Sequence, residues 1–266
     1  MKKRRTQILQ KVLAVFLLIM MTGAAGAQKL PNVQTVSVSA PQDIKIDGNA
    51  AEWGNKFSAY NNATEVFYTI SNNTANLYLI VQSADDAIIQ KIVAGGITFS
   101  IKSTNKKSIA VPVAITYPIV PDAYSPGVSY KLRTNKTLSD ADLIALNKQV
   151  SDHIKVIRVT GVKEIPDSAV SVYNDLGIQA AGLIDHKKAY TYELSIPIKY
   201  LKQVIDDTGA FRYIIQVNGL DIKSTNVVVG TSTNTDPQQV SIDHGSNLFL
   251  VSPTYLSGTY TLAKGN

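Results

Sequence analysis

The sequence predicts an all-β fold: one antiparallel β-sandwich with one or two short helices in its connections. Three observations predict it. Runs rich in Val, Ile, Thr, Tyr and Phe recur along the chain, separated by short Asn/Asp/Gly/Ser clusters. Two of these runs alternate strictly with period two, which suits strands with a buried and a more polar side. Apolar spacing at the helical period is scarce.

In chain order, the strand runs are 44–47, 65–71, 77–83, 97–102, 109–117, 154–162, 177–184, 189–196, 211–220, 226–230 and 258–263. In the 189–196 run, Tyr190, Tyr192, Leu194 and Ile196 share one face, and Thr191, Glu193 and Ser195 share the other. In the 211–217 run, Phe211, Tyr213, Ile215 and Val217 form a face. Leu77–Val81 is apolar throughout and belongs in the middle of the sandwich. Asp185–Lys188 and Ser103–Lys106 read as hairpin connections. The clearest helix is 139–153: Ser139 caps, Asp142 stands three residues on, and Leu143, Leu146, Val150 and Ile154 give the stripe. Shorter helices are expected over 85–93 and over 198–204, the second just after Pro197.

The first 27 residues read as a signal peptide. Lys2, Lys3, Arg4 and Arg5 form a positive head, Val12–Met21 is unbroken apolar chain, and Ala25-Gly26-Ala27 is a small-residue cleavage site. The apolar run is about half of the roughly 20 residues that span a bilayer, so no membrane insertion is expected after cleavage. Residues 28–41 form a leader or a first edge strand, and 42–266 a single sandwich domain. The address is therefore export, to a periplasmic or extracellular location. The peptide also carries five of the 26 basic residues and none of the 20 acidic ones. The remainder is close to neutral at +1, and such an even mix argues against nucleic acid as a partner. The chain has no cysteine, which excludes disulfides, thiolate metal sites and a thiol nucleophile.

Four short motifs stand in order along the chain. Ile46-Asp47-Gly48 precedes Glu52-Trp53; Ala75-Asn76-Leu77-Tyr78-Leu79 follows a turn; Gly95-Gly96-Ile97-Thr98-Phe99 opens a further strand; Tyr192-Glu193-Leu194-Ser195-Ile196-Pro197 ends a late one. Their order and spacing resemble the family 9 carbohydrate-binding modules and their DOMON-like relatives, over residues 44 to about 220. The resemblance implies a non-catalytic, secreted glycan binder, with an oligo- or polysaccharide as partner. The alternative is an exported structural or protein-interaction sandwich that binds no sugar. A hydrolase ranks third, because no acid/base pair can be named.

Asp47, Gly48, Glu52, Trp53 and Glu193 are read as structural members of these motifs. Asp47-Gly48 offers a tight turn, Trp53 plugs one end of the sandwich, and Glu193 is solvated or hydrogen-bonded. The sugar-binding members of the family grip a glycan end between two aromatic side chains, typically tryptophans. This chain departs from that pattern, since Trp53 is its one tryptophan. Tyrosines are the substitutes, because a pyranose needs a flat apolar face beside polar groups. The best stretch is 117–133, where Pro118, Pro121 and Pro126 stiffen a connection carrying Tyr117, Tyr124 and Tyr130, with Asp122 and Arg133 as polar partners.

No cofactor is expected. The haem-binding relatives use Met and His ligands, but Met1, Met20 and Met21 all lie in the signal peptide. His153, His186 and His244 are dispersed, and no hydrolase or phosphate-binding motif is present. A structural calcium ion would need several converging oxygens; Asp43, Asp47, Asp236 and Asp243 are the candidates. The carboxylate pairs Asp85-Asp86 and Asp206-Asp207 sit in turn-like settings and read as caps.

Processing after Ala27 is expected to leave an exported protein whose N-terminal sequencing begins at Gln28. An intact Met1 end on a membrane-bound form would overturn the signal-peptide reading.

Overall fold

In the computed structural model, which describes residues 29–119, 139–219 and 248–264, the strand runs assemble into two antiparallel sheets. Sheet A contains β1 (Ala59–Asn61), β2 (Val66–Asn72), β3 (Asn76–Ser83), β8 (Gln179–Ile184) and β9 (Tyr190–Pro197), in the order β1-β2-β3-β9-β8. Sheet B contains β4 (Ile97–Lys102), β5 (Val113–Tyr117), β6 (Val156–Thr160), β7 (Ala169–Ser171), β10 (Ala210–Val217) and β11 (Thr254–Thr261), in the order β11-β10-β4-β5-β6-β7. Among the described residues no helix is long and apolar enough to cross a membrane.

The connections carry the helices. In α1 (Asp86–Gly95), Asp85 caps the start by accepting from the Ala87 and Ile88 amides, both at 2.9 Å. In α2 (Asp140–His153), Ser139 and Asp142 form the reciprocal capping box that their spacing predicts, and Leu143, Leu146 and Val150 are buried. A 3₁₀ turn (Ile198–Tyr200) follows Pro197, shorter than the expected helix, and α3 (Leu248–Val251) precedes β11.

The main core fills the space between the sheets. Sheet A supplies Tyr68, Ile70, Leu77, Leu79, Val81, Tyr192 and Leu194; sheet B supplies Phe99, Ile101, Ile115, Phe211, Tyr213 and Ile215. Register follows from alternation, because a slip of one residue would turn each of these sets outward. The expected middle position of Leu77–Val81 is realised, since β3 pairs with both β2 and β9. β3 is apolar on its second face too, where Tyr78 and Ile80 point away from the core. They are covered by residues 40–57, which contribute Ala40, Ile44, Ile46, Ala50, Trp53 and Phe57.

That cover corrects two expectations. Residues 44–47 are not a strand: the Asp47 amide donates to the Glu193 carboxylate instead of to a neighbouring strand. Trp53 does not plug an end of the sandwich but lies on the outer face of sheet A, because β3 leaves apolar surface there to be buried. Glu193, read as solvated or hydrogen-bonded, is hydrogen-bonded: it is buried and accepts from Trp53, Gly48 and Asp47, with Thr191 and Ser195 of the same face buried as well. The 226–230 run lies outside the described residues. β1 and β7, three residues each, are too short to leave a periodic signal.

The leader closes one side of the sandwich without becoming a full strand. Ser39 makes an isolated parallel bridge to Asn72. The buried Gln34 side chain takes the place of a missing strand beside β2: its Oε1 accepts from the Ile70 N–H and its Nε2 donates to the Ile70 C=O, both at 2.8 Å. The Gln34 backbone N–H also donates to Tyr68 Oη, which is hydrogen-bonded across the core to Tyr213 Oη at 3.0 Å. Burial pushes both phenols above their usual range.

Gln34→Ala leaves the Ile70 N–H and C=O unpaired at a buried strand edge. The expected loss is about 1–3 kcal/mol, read from urea unfolding midpoints. An unchanged midpoint would show that the leader is not part of the folded unit.

Candidate functional site

The motif residues, separated by some 140 positions of chain, meet on the outer face of sheet A. Asp47 Oδ1 accepts from the Asn49 amide at 2.9 Å and Asn49 Oδ1 from the Ala51 amide at 3.1 Å. These two Asx turns bend the chain over β8 and β9. Gly48 makes the closest approach. Its φ is +85°, and a Cβ there would stand 2.7 Å from the Leu183 backbone and side chain, so only glycine fits.

The turn delivers three donors to one carboxylate. Trp53 Nε1 donates to Glu193 Oε1 at 2.7 Å, while the Gly48 and Asp47 amides donate to Oε2 at 2.8 and 3.1 Å. Glu193 is fully buried and Trp53 is 8% exposed, with its ring edge-on to Tyr78 at 6.3 Å. Burial raises the Glu193 pKa; the three donors oppose that shift and the nearby Asp47 adds to it. Glu52 is half-buried, with Oε2 shielded and without a hydrogen-bond partner. This is a closed network, with no opening for a ligand to reach the carboxylate.

Of the residues predicted to hold a sugar, Tyr117 ends β5 with its ring in the core, 6.2 Å from Tyr192. Burial pushes its phenol up to about 12. It offers no face to solvent, because alternation in β5 turns it inward with Val113 and Ile115. Asp122, Tyr124, Tyr130 and Arg133 lie outside the described residues, as do Asp236, Asp243 and His244. Among the described residues no three His, Cys, Asp or Glu side chains gather in a metal-binding group. His153 Nδ1 is 2.9 Å from the Gln149 carbonyl, and His186 stands 3.5 Å from Asp140. Asp206 anchors its turn: hydroxyls of Thr104 and Thr208 and the amides of Thr208 and Ala210 donate to it and hold its pKa well below the usual range.

Two features escaped the sequence reading. Phe57, Tyr60 and Phe67 cluster at the β1–β2 edge of sheet A's outer face, with Phe67 centroids 5.7 Å from Phe57 and 4.6 Å from Tyr60. Phe67 is 36% exposed and the other two rings are half-buried. Gln82, paired with Phe67 across β2 and β3, donates from its side chain to Thr191 on β9. The available signal was Phe67 itself, a large ring out of phase with Val66 and Tyr68. The second is Lys91, fully buried in α1, with its ammonium 3.3 Å from Thr254 Oγ1 and 4.4 Å over the Phe249 ring. Burial lowers its pKa, opposed by Glu65. A mainly apolar cavity of about 360 Å³ also lies between Val111 and the 159–168 turn, where the Gln203 amide is engaged by the Gly161 carbonyl.

The chain matches no protein-family model, no curated protein and no solved structure.

Trp53→Ala should cost about 3–5 kcal/mol, as for an aromatic lost from a packed interior. A variant that melts like wild type would return the indole to the candidates for binding. Glu193→Gln tests the carboxylate by pH. Because the folded-state pKa is raised, the Glu193 contribution is fully present below the unfolded value and is lost as pH rises through the folded one. The stability gap between wild type and Glu193→Gln should therefore narrow as pH climbs above the ordinary carboxylate range, read from urea midpoints. A gap that widens would mean that the three donors outweigh burial.

Proposed function

We propose that the protein is an exported, non-catalytic glycan-binding β-sandwich, of the kind its motifs resemble. The observation that carries this reading is the Phe57–Tyr60–Phe67 cluster, three adjoining rings on a sheet face. Aromatic faces next to a few polar groups are what a pyranose ring requires. The rings are tilted by 40° and 46°, so they form a bent surface suited to a curved or terminal part of a chain. The site rests on a rigid sheet, which limits the ordering cost of association. Tyr124 and Tyr130 remain the further candidates, on the 118–133 connection. The meeting of Asp47, Gly48, Trp53 and Glu193 in one network supports the motif reading, as a framework and not as the site.

The alternative, an exported interaction sandwich that binds no sugar, draws support from the burial of both Trp53 and Tyr117. With the single tryptophan enclosed, ligand stacking falls to Phe and Tyr.

Ring stacking is weak per contact, so affinity should be modest, on the order of 10 µM to 1 mM. A glycan-array screen identifies a ligand, and calorimetry then compares variants of unchanged melting temperature. Phe67→Ala and Tyr60→Ala are each expected to weaken binding at least about fivefold, or roughly 1 kcal/mol. Full affinity in both, with loss in Tyr124→Ala or Tyr130→Ala, would move the site to the connection. No binding to any glycan would decide for the interaction sandwich.

A further inference from the structure

The cavity of about 360 Å³ is built on sheet B, at the turn that joins β6 to β7. Val159, Val162 and Ile165 form its apolar wall and are themselves buried. Val111, in the connection before β5, also lines it; at 62% exposed, this residue brings the cavity to the surface.

The frame around this space is hydrogen-bonded. The Val159 amide donates to the Ser168 carbonyl at 2.8 Å, which closes the base of the turn, and the Ile165 amide donates to the Val162 carbonyl at 3.1 Å. Gln203 Nε2 donates to the Gly161 carbonyl at 2.6 Å. Gly161 has φ +79°, and a Cβ there would stand 2.0 Å from the Pro112 carbonyl oxygen. The turn is therefore pressed against the residue beside Val111, and the walls are set before anything binds. Preformed, mostly apolar spaces with a few polar groups are the usual form of a small-molecule site.

Size and charge limit the occupant. A dry cavity of about 150 Å³ accepts benzene, and small-molecule sites begin at about 300 Å³. The space here is roughly twice the benzene case, with room for on the order of ten non-hydrogen atoms. Among the described residues of the 161–168 turn, Lys163 is the charged side chain that lines the cavity, whereas the exposed Glu164 and Asp167 do not. Ser168 adds a hydroxyl to the lining. An ammonium and a hydroxyl both donate, which suits an anionic head more than a cationic one.

We propose that this cavity binds a small hydrophobic carboxylate: a medium-chain acyl or arylalkyl body packed on Val159, Val162 and Ile165, with its carboxylate met by Lys163. The site belongs to sheet B, whereas the Phe57–Tyr60–Phe67 rings belong to sheet A, and it does not depend on glycan binding.

Octanoate, at about ten non-hydrogen atoms, is the probe. In calorimetry of the purified exported protein it should bind with a Kd on the order of 10 to 300 µM. Octanamide, of the same size without the charge, should bind at least about fivefold more weakly. Val111→Trp fills the mouth from an exposed position; it should weaken both ligands at least about tenfold and leave the melting temperature unchanged. Lys163→Gln should bring octanoate to the octanamide value and leave octanamide as it was. In the wild type, octanoate should shift the methyl resonances of Val159, Val162 and Ile165, which locates the site without any variant. Failure of octanoate to bind overturns the proposal, including the case in which a partner protein seats an apolar side chain there instead. So does octanamide binding as tightly as octanoate, full octanoate affinity in Val111→Trp, or methyl shifts confined to other residues.

Discussion

The Glu193 carboxylate is the constraint on which sheet A depends. A carboxylate taken out of water without partners costs several kcal/mol. Here Trp53 Nε1 and the Gly48 and Asp47 amides meet it, all donated by one short turn. The turn gains in exchange, because its two amides have no strand to donate to. Once it is pinned, Trp53 and Ala50 rest on Tyr78 and Ile80, and the apolar second face of β3 is covered. Loss of the carboxylate would leave two backbone amides and an indole N–H unpaired in a dry contact. The hydrogen-bonded carboxyl group and the hydrophobic cover therefore depend on each other. Buried charge here supports a local arrangement more than net stability, since a well-packed apolar substitute for the whole network would cost less to bury.

Carboxamides do for the sheet edges what the carboxylate does for the turn. An Asn or Gln side chain presents a donor and an acceptor side by side, as a peptide unit does, so it completes a strand edge one residue at a time. Gln34 does this at Ile70 and Asn147 at Ile184. Asn72 does it between the sheets, accepting from the Ala263 amide at 2.7 Å and donating to its carbonyl at 3.1 Å. Tyr260 Oη adds a bond to the same Asn72 side chain. With no disulfide to tie the leader and the last strand to the body, these local closures and the core hold the perimeter.

Much of the fold was legible because its signals are local. The inward faces of β9 and β10 follow from period-two alternation, and the Ser139–Asp142 capping box from a three-residue spacing. The failures are tertiary. Ile44 and Ile46 alternate as a strand would, yet they serve as cover, and only the fold determines which. Glu193 looks like part of a wet face until a turn from far away in the chain is laid over it. The lone tryptophan and the lone glutamate of β9 gave no hint in sequence that they are partners. Tyr117 was misjudged for a related reason. Its loop context suggested exposure, whereas its parity with Ile115 in β5 already turned it inward.

The two outer faces now differ in kind, and this has a bearing on where a ligand fits. On sheet B the outer rows are mixed: Thr98 and Thr116 share a hydrogen bond at 2.9 Å, in a row with Gln216 and Tyr255, beside a row of Ala114, Ser100, Ile214 and Ser257. Its one large exposed ring, Tyr255, stands apart from any aromatic partner among the described residues. On sheet A residues 40–57 cover Tyr78 and Ile80, and the rings of Phe57, Tyr60 and Phe67 lie beside that cover. Phe57 belongs to both, packed on the Trp53 cluster on one side and on Phe67 on the other. The buried Glu193 network thus supports the exposed rings from beneath. A change at Trp53 or Glu193 would reach them through Phe57, so binding measured in such variants reports on the framework and not on direct contact.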